Sequence, residues 1–175
     1  MLSATHEHAP ALVAVLLAAA LGCGGSSGGG ARSPDGGGPS GSGTFTWKDG
    51  GTLHTALFAS GARVISAGLD MVQVTGSDSG AAVSFGVSLM PPPLVAGAYA
   101  CSDNGAVAGR IVSIDYTVGS LSGLAPACAI TLTSIGDIAG SRATGTFSAT
   151  VPLSNGTTRT ITEGAYDVPL TVSSL

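Results

Sequence analysis

Apolar and polar residues alternate with a period of two along most of the chain after residue 44. In the clearest run, residues 111–118, Val112, Ile114 and Tyr116 share one face, and the polar residues 113, 115 and 117 lie on the other. Successive side chains of a β-strand point to opposite faces, so this pattern predicts strands with one buried and one solvated face. The same alternation occurs in four further runs: 82–89, 128–133, 147–153 and 166–172.

Turn-forming residues separate these runs, at 49–51, 77–80, 103–105, 136–137 and 154–156. Asp, Asn, Ser and Gly favour turns. Three consecutive prolines at 91–93 predict a crossing loop or a sheet edge. The pattern predicts an all-β domain over residues 44–175 with roughly eight to ten short meander strands, either an antiparallel β-sandwich or a partly closed barrel. Periodicity does not separate these two architectures.

The N-terminal region has a different pattern. Residues 9–21 form an apolar run that is shorter than the roughly 20 residues needed to span a membrane and is typical of a signal peptide. The next residues are Gly22 and Cys23, and the segment 20–23 resembles the lipobox of bacterial lipoproteins, in which the cysteine thiol receives a diacylglycerol group. Residues 1–8 lack Lys and Arg, which signal peptides normally carry there. The alternatives are an ordinary secretory signal cut near Ala20 and an amphipathic helix at the start of the chain.

These features predict a signal peptide at 1–22, then a lipidated Cys23 and a Gly/Ser-rich linker that ends at residue 43. The linker has no apolar periodicity, so we expect a disordered tether with a reach of roughly 25 Å. The resemblance implies that the protein lies in the bacterial cell envelope, at the outer membrane or cell surface, with the membrane as a partner through its lipid anchor.

The cysteine count agrees with export. Of the three cysteines, lipidation of Cys23 leaves Cys101 and Cys128, which can pair in an oxidising compartment. Alternation places Cys101 on the face of Tyr99 and Cys128 on the face of Ile130, so both thiols are expected to point into the core. We therefore predict a disulfide between them. Two buried free thiols are the alternative.

Charge and composition limit the kinds of partner that the sequence predicts. Only 9% of the residues are charged, while 44% are hydrophobic. No Lys/Arg cluster occurs that would follow a phosphate backbone, so nucleic acid is not expected as a partner. The basic residues after position 44 are isolated from one another: Lys48, Arg63, Arg110, Arg142 and Arg159.

No catalytic or metal-binding residue is predicted, and no cofactor. His54 is the only histidine after residue 8, and the alternation over 52–59 places it on one face with Ala56 and Phe58. It could serve as a ligand or general base, but a lone strand histidine is more often a surface residue. One histidine without a spare thiol cannot form the usual zinc site. Calcium has two candidate loops, 77–79 and 102–104, which turn chemistry also explains. A serine triad, assembled in space, stays open.

Four short motifs carry a resemblance at the level of the domain. An uncharacterised β-rich domain of bacterial surface lipoproteins resembles this chain in the order Phe45-Thr46-Trp47, Gly97-Ala98-Tyr99, Gly145-Thr146-Phe147-Ser148 and the segment 160–166 (TITEGAY). In that domain a G-x-Y strand and a G-T-F strand pair into a meander. The resemblance implies an antiparallel, sandwich-like fold and no activity.

The main functional hypothesis is a non-catalytic β-domain that binds or scaffolds another envelope protein. The alternative is a carrier that holds a small apolar ligand in a barrel cavity, and a hydrolase is the third. Most aromatic side chains, Phe58 among them, are expected on inward faces, where they fill a core or line a cavity. An enclosed cavity would favour the carrier, a cleft that joins His54 to an acid and a serine would favour the hydrolase, and a filled core with an exposed patch would favour the binding module.

Overall fold

A computed structural model describes residues 43–175. The predictions of a signal peptide, a lipidated Cys23 and a linker fall on residues 1–42 and so lie outside the described residues. Within 43–175 the regular elements are β-strands and one single-turn 3₁₀ helix, Cys101–Asp103. None of the helical structure in this part of the chain is long and apolar enough to cross a membrane.

Eleven strands make up the domain. Their bounds are β1 Thr44–Asp49, β2 Thr52–Thr55, β3 Phe58–Ile65, β4 Asp70–Ser77, β5 Ala81–Leu89, β6 Gly97–Ala100, β7 Arg110–Val118, β8 Leu121–Leu124, β9 Ala127–Ile135, β10 Arg142–Pro152 and β11 Thr158–Ser174. The prediction of an all-β fold is confirmed. The strands are more numerous than expected, and β10 and β11 are not short, with 11 and 17 residues.

The strands form one curled mixed sheet, a half-barrel, in the order β6-β9-β10-β11-β3-β4-β5-β7-β8. β1 pairs with β11 and β2 pairs with β1. The direct pairing of the G-x-Y and G-T-F strands, expected from the resemblance, is wrong. β10 has β9 on one edge and β11 on the other, so β6 pairs with β9 instead.

One strand pair corrects the expectation of a wholly antiparallel fold. The C-terminal part of β11 pairs with β3 in parallel, from Leu170↔Gly61 to Ser174↔Ile65. β1 runs antiparallel to β11, and β2 runs antiparallel to β1. β2 therefore has the direction of β11, and β3 follows it after only two residues. Keeping that direction makes β3 parallel to β11.

The buried face follows the alternation read from the sequence. In β7, Val112, Ile114 and Tyr116 are fully buried, and the other runs bury their apolar positions in the same way. Aromatic rings fill the centre of the core: the Phe45 ring centroid lies 5.0 Å from that of Phe147, and the Phe85 centroid lies 4.8 Å from that of Tyr166. The core is therefore packed with side chains where a carrier would need space.

Candidate functional site

The predicted cysteine pair lies at one edge of the sheet. β6 and β9 are antiparallel with Ala100 opposite Ala129, and the next residue on each side brings Cys101 opposite Cys128. The Cα atoms of the two cysteines are 5.0 Å apart, within the usual range of about 4.4–6.8 Å for a disulfide. Cys101 is buried and Cys128 packs partly against the core. The structure thus places the pair in disulfide geometry.

His54 lies on β2, opposite Trp47 of β1. Its imidazole stacks on the buried indole, with ring centroids 4.9 Å apart and an angle of 7° between the planes. Its Nδ1 atom is 2.6 Å from Oδ2 of Asp78, which lies in the turn between β4 and β5. No sequence pattern connects His54 with Asp78, because the two residues meet only through the folding of separate hairpins.

Asp78 is held by its own turn. Its Oδ1 accepts hydrogen bonds from the backbone amides of Gly80 and Ala81, at 2.8 and 2.7 Å. Burial raises the pKa of the carboxyl, but the hydrogen bonds from His54 and the two amides outweigh it and lower the pKa below its ordinary value of 3.8. An ionised Asp78 only accepts hydrogen bonds, so His54 donates from Nδ1. The loop 77–79 is therefore a turn that the His54–Asp78 hydrogen bond holds against β2.

A histidine oriented by a carboxylate is two thirds of a hydrolytic triad. In residues 43–175, however, no hydrogen bond joins a serine hydroxyl to His54. Ser77 and Ser79 flank Asp78 and line a shallow cavity of about 250 Å³, which His54 does not line. The same part of the chain contains no group of three His, Cys, Asp or Glu side chains placed to hold a metal ion. In the second candidate calcium loop, 102–104, Oδ2 of Asp103 accepts a hydrogen bond of 2.8 Å from Nη1 of Arg110.

A second polar cluster consists of Asp49, Tyr116 and Arg159. Tyr116 donates a hydrogen bond of 2.9 Å to Oδ2 of Asp49, and Nη1 of Arg159 lies 3.5 Å from the same oxygen. Burial and the neighbouring Asp49 carboxyl raise the pKa of the Tyr116 hydroxyl above its ordinary value of 10.0, so it stays protonated. Sequence analysis did not identify this cluster. One signal was available: Phe45 and Trp47 alternate on the inward face of β1, and Asp49 is the next residue on that face.

The most deeply buried charges are Arg63 of β3 and Asp70 of β4. Arg63 donates two hydrogen bonds to the Asp70 carboxylate, at 2.9 and 2.6 Å. It also donates to the carbonyls of Gly136 and Leu94, at 2.9 and 3.0 Å, and the Leu94 amide donates to Asp70 at 2.8 Å. Burial raises the pKa of Asp70, but these hydrogen bonds and the Arg63 charge lower it below 3.8. This network joins the β3–β4 hairpin to the proline loop and to the β9–β10 turn.

An exposed apolar pair lies where β2 ends and β3 begins. Leu57 is 69% exposed and Phe58 is 77% exposed. The prediction that Phe58 faces inward with His54 is wrong, because β2 ends at Thr55 and the alternation restarts in β3. We call this pair the Leu57–Phe58 tip. It borders an open groove of about 590 Å³, lined by Gly43, Leu57, Phe58, Ala59, Ser60, Gly61, Thr75, Ser77, Pro169 and Thr171.

Comparison of the chain with protein-family models, with curated proteins and with solved structures found no match. Three features of residues 43–175 bear on function. They are a core filled with aromatic rings, a histidine–aspartate pair to which no serine hydroxyl is hydrogen-bonded, and the exposed Leu57–Phe58 tip.

Proposed function

We propose that the protein is a lipid-anchored, non-catalytic binding or scaffolding protein of the bacterial cell envelope. In this proposal residues 1–22 are a signal peptide, Cys23 carries the lipid, and the linker that ends at residue 43 holds the β-domain near the membrane. The observation that supports a binding module is a filled core combined with the exposed Leu57–Phe58 tip. Contiguous apolar patches on a protein surface are typical of interaction sites.

The alternatives receive less support. A carrier needs an enclosed space, and the centre of this domain is occupied by Phe45, Phe85, Phe147 and Tyr166. A hydrolase needs a nucleophile beside His54, and in residues 43–175 no serine hydroxyl is hydrogen-bonded to that imidazole. The cysteine pair in disulfide geometry agrees with an oxidising compartment outside the cytoplasm.

The test is the mature N-terminus and its mass. The full chain is expressed in a lipoprotein-processing bacterium, and intact mass spectrometry is applied to the membrane fraction. We expect a chain that begins at Cys23 with added diacylglycerol and acyl mass. Cys23→Ser should abolish this product, while Cys101→Ser, the matched cysteine control, should retain it. A mature chain that begins elsewhere, or unchanged membrane partition of Cys23→Ser, contradicts the anchor.

Native mass spectrometry of the same preparation separates a binding module from a carrier. We expect the mass of the chain and its covalent lipid alone. A small apolar molecule that copurifies in a fixed ratio and is released on unfolding would replace the binding module with the carrier.

A further inference from the structure

Backbone hydrogen bonds hold the chain around the Leu57–Phe58 tip in a conformation that exposes both side chains. The amide of Ala56 donates to the carbonyl of Phe45 at 2.8 Å, and the amide of Leu57 donates to the carbonyl of Ser77 at 2.8 Å. Phe58 then lies opposite Ser77 in the β3–β4 ladder. The backbone on both sides of the tip is therefore fixed by hydrogen bonds, and the two apolar side chains are held outward.

The lining of the groove beside the tip carries no charge. Every residue that lines the adjoining groove is apolar, a glycine, a serine or a threonine. A charged protein surface would lose its hydration here without gaining an opposite charge. Lipid acyl chains fit the two apolar side chains, and the serine and threonine hydroxyls of the groove can hydrogen-bond to headgroups that stay hydrated.

The tip lies beside the point where the N-terminal part of the chain joins the domain. Gly43 lines the same groove as Leu57 and Phe58, and a Cβ atom on Gly43 would lie 3.3 Å from Cβ of Ala59. Nineteen residues lie between Cys23 and Gly43, and a flexible Gly/Ser-rich chain of that length has an r.m.s. reach of roughly 25 Å. A lipid on Cys23 would thus hold this side of the domain at about that r.m.s. distance from the bilayer.

We propose that Leu57 and Phe58 insert into the surface of the bilayer that holds the anchor and so orient the domain on the membrane. This proposal rests on the proposed lipid anchor at Cys23. Transfer of exposed Leu and Phe side chains from water to an apolar phase is favourable, and one anchor makes the second contact intramolecular. The combination of a lipid chain with a second membrane contact also gives more stable attachment than one chain alone.

The experiment measures contact between the tip and acyl chains in the intact lipoprotein. The processed full-length chain is reconstituted in vesicles of phosphatidylethanolamine and phosphatidylglycerol, with or without bromine-labelled acyl chains that quench tryptophan on contact. Phe58→Trp places the probe at the tip. Leu124→Trp is the matched control, because Leu124 is also exposed, at 58%, but lies on the edge strand β8. Trp47 is fully buried and contributes the same background to both variants.

We expect brominated lipid to quench at least half of the added emission of Phe58→Trp and little of that of Leu124→Trp. A companion double variant, Leu57→Ser with Phe58→Ser, should keep the anchor but lose about tenfold or more in resistance to extraction from the vesicles by a soluble lipid acceptor. Both substitutions replace exposed side chains, so its thermal unfolding should match the wild type.

The outcomes separate the two proposals. If the chain fails to incorporate into vesicles, the anchor at Cys23 is wrong, and the tip is then tested by adding the same soluble variants to brominated vesicles. If the chain incorporates but the two tryptophan variants are quenched equally, the anchor stands and insertion of the tip is wrong. Protection of Phe58→Trp from aqueous quenchers in the absence of lipid, dependent on protein concentration, would assign the tip to a contact with a second copy instead.

Discussion

Removal of one partner from the buried Arg63–Asp70 pair is expected to destabilise the domain more than any surface substitution. Asp70→Ala deletes a carboxylate that accepts three hydrogen bonds, two from Arg63 and one from the Leu94 amide. The guanidinium is left 5% exposed, with only the two carbonyls of Gly136 and Leu94 as acceptors. Breaking a buried ion pair in this way costs about 3–5 kcal/mol. That is a large part of a typical domain stability of about 5–15 kcal/mol.

Urea-induced unfolding followed by circular dichroism measures this loss. Asp137→Ala is the control, because Asp137 is an exposed acid in the β9–β10 turn and its removal should change the free energy of unfolding by less than about 0.5 kcal/mol. The double variant Arg63→Met with Asp70→Leu should recover most of the stability, since apolar side chains of similar volume often replace a buried ion pair without loss. A loss below about 1 kcal/mol for Asp70→Ala would refute the reasoning.

Asp70 should also make the stability of the domain depend on pH. The pKa of Asp70 is lower in the folded protein than its ordinary value of 3.8. Its contribution to stability is therefore fully present above pH 3.8 and is lost as the pH falls through the lower folded-state pKa. Asp70→Ala should remove this part of the acid sensitivity, so the stability difference between wild type and variant should shrink as the pH falls below 3.8. A difference that stays constant down to pH 2 would contradict this.

Two further predictions concern the core. Cys101→Ser should lower the free energy of unfolding by about 3.5 kcal/mol on the chain-entropy model for a sequence separation of 27, and reductant should produce a similar loss in the wild type but not in the variant. Gly76→Ala should cost about 1–3 kcal/mol, because the added methyl group would collide with the Phe45 ring, whereas Gly86→Ala has no neighbour closer than 3.6 Å and should be tolerated. Thermal unfolding of the two glycine variants side by side tests this, and equal stability would contradict the packing at Gly76.

The sequence predicted the strands well where alternation was uninterrupted. Val112, Ile114 and Tyr116 are buried as the period of two requires. It failed where that period crossed a strand break, as at Phe58, since periodicity alone cannot locate a two-residue interruption. It also missed the Arg63–Asp70 pair. Asp70 continues the inward face of its strand, but a charged residue is assigned to a buried face only when its partner on the neighbouring strand is known.

The candidate site was less accessible to prediction. The lone histidine was visible, but its aspartate was not, because the hydrogen bond joins two hairpins whose arrangement depends on the whole sheet. The exposure of the tip could not be predicted either, because Leu and Phe are usually core residues. The pairing of β3 with β4 and the exposed fraction of the side chain show that Phe58 faces outward.

The position of β11 also has a consequence for how the chain reaches its native state. β11 borders β10, β1 and β3, and it pairs Asp167 with Thr44 near the other end of the described chain. The earlier strands can form local hairpins, but β1 can pair only with β2 until β11 has been synthesised. Contacts so distant in sequence make folding slow. The earlier hairpins can therefore form during synthesis, but the complete sheet can form only after β11 has left the ribosome.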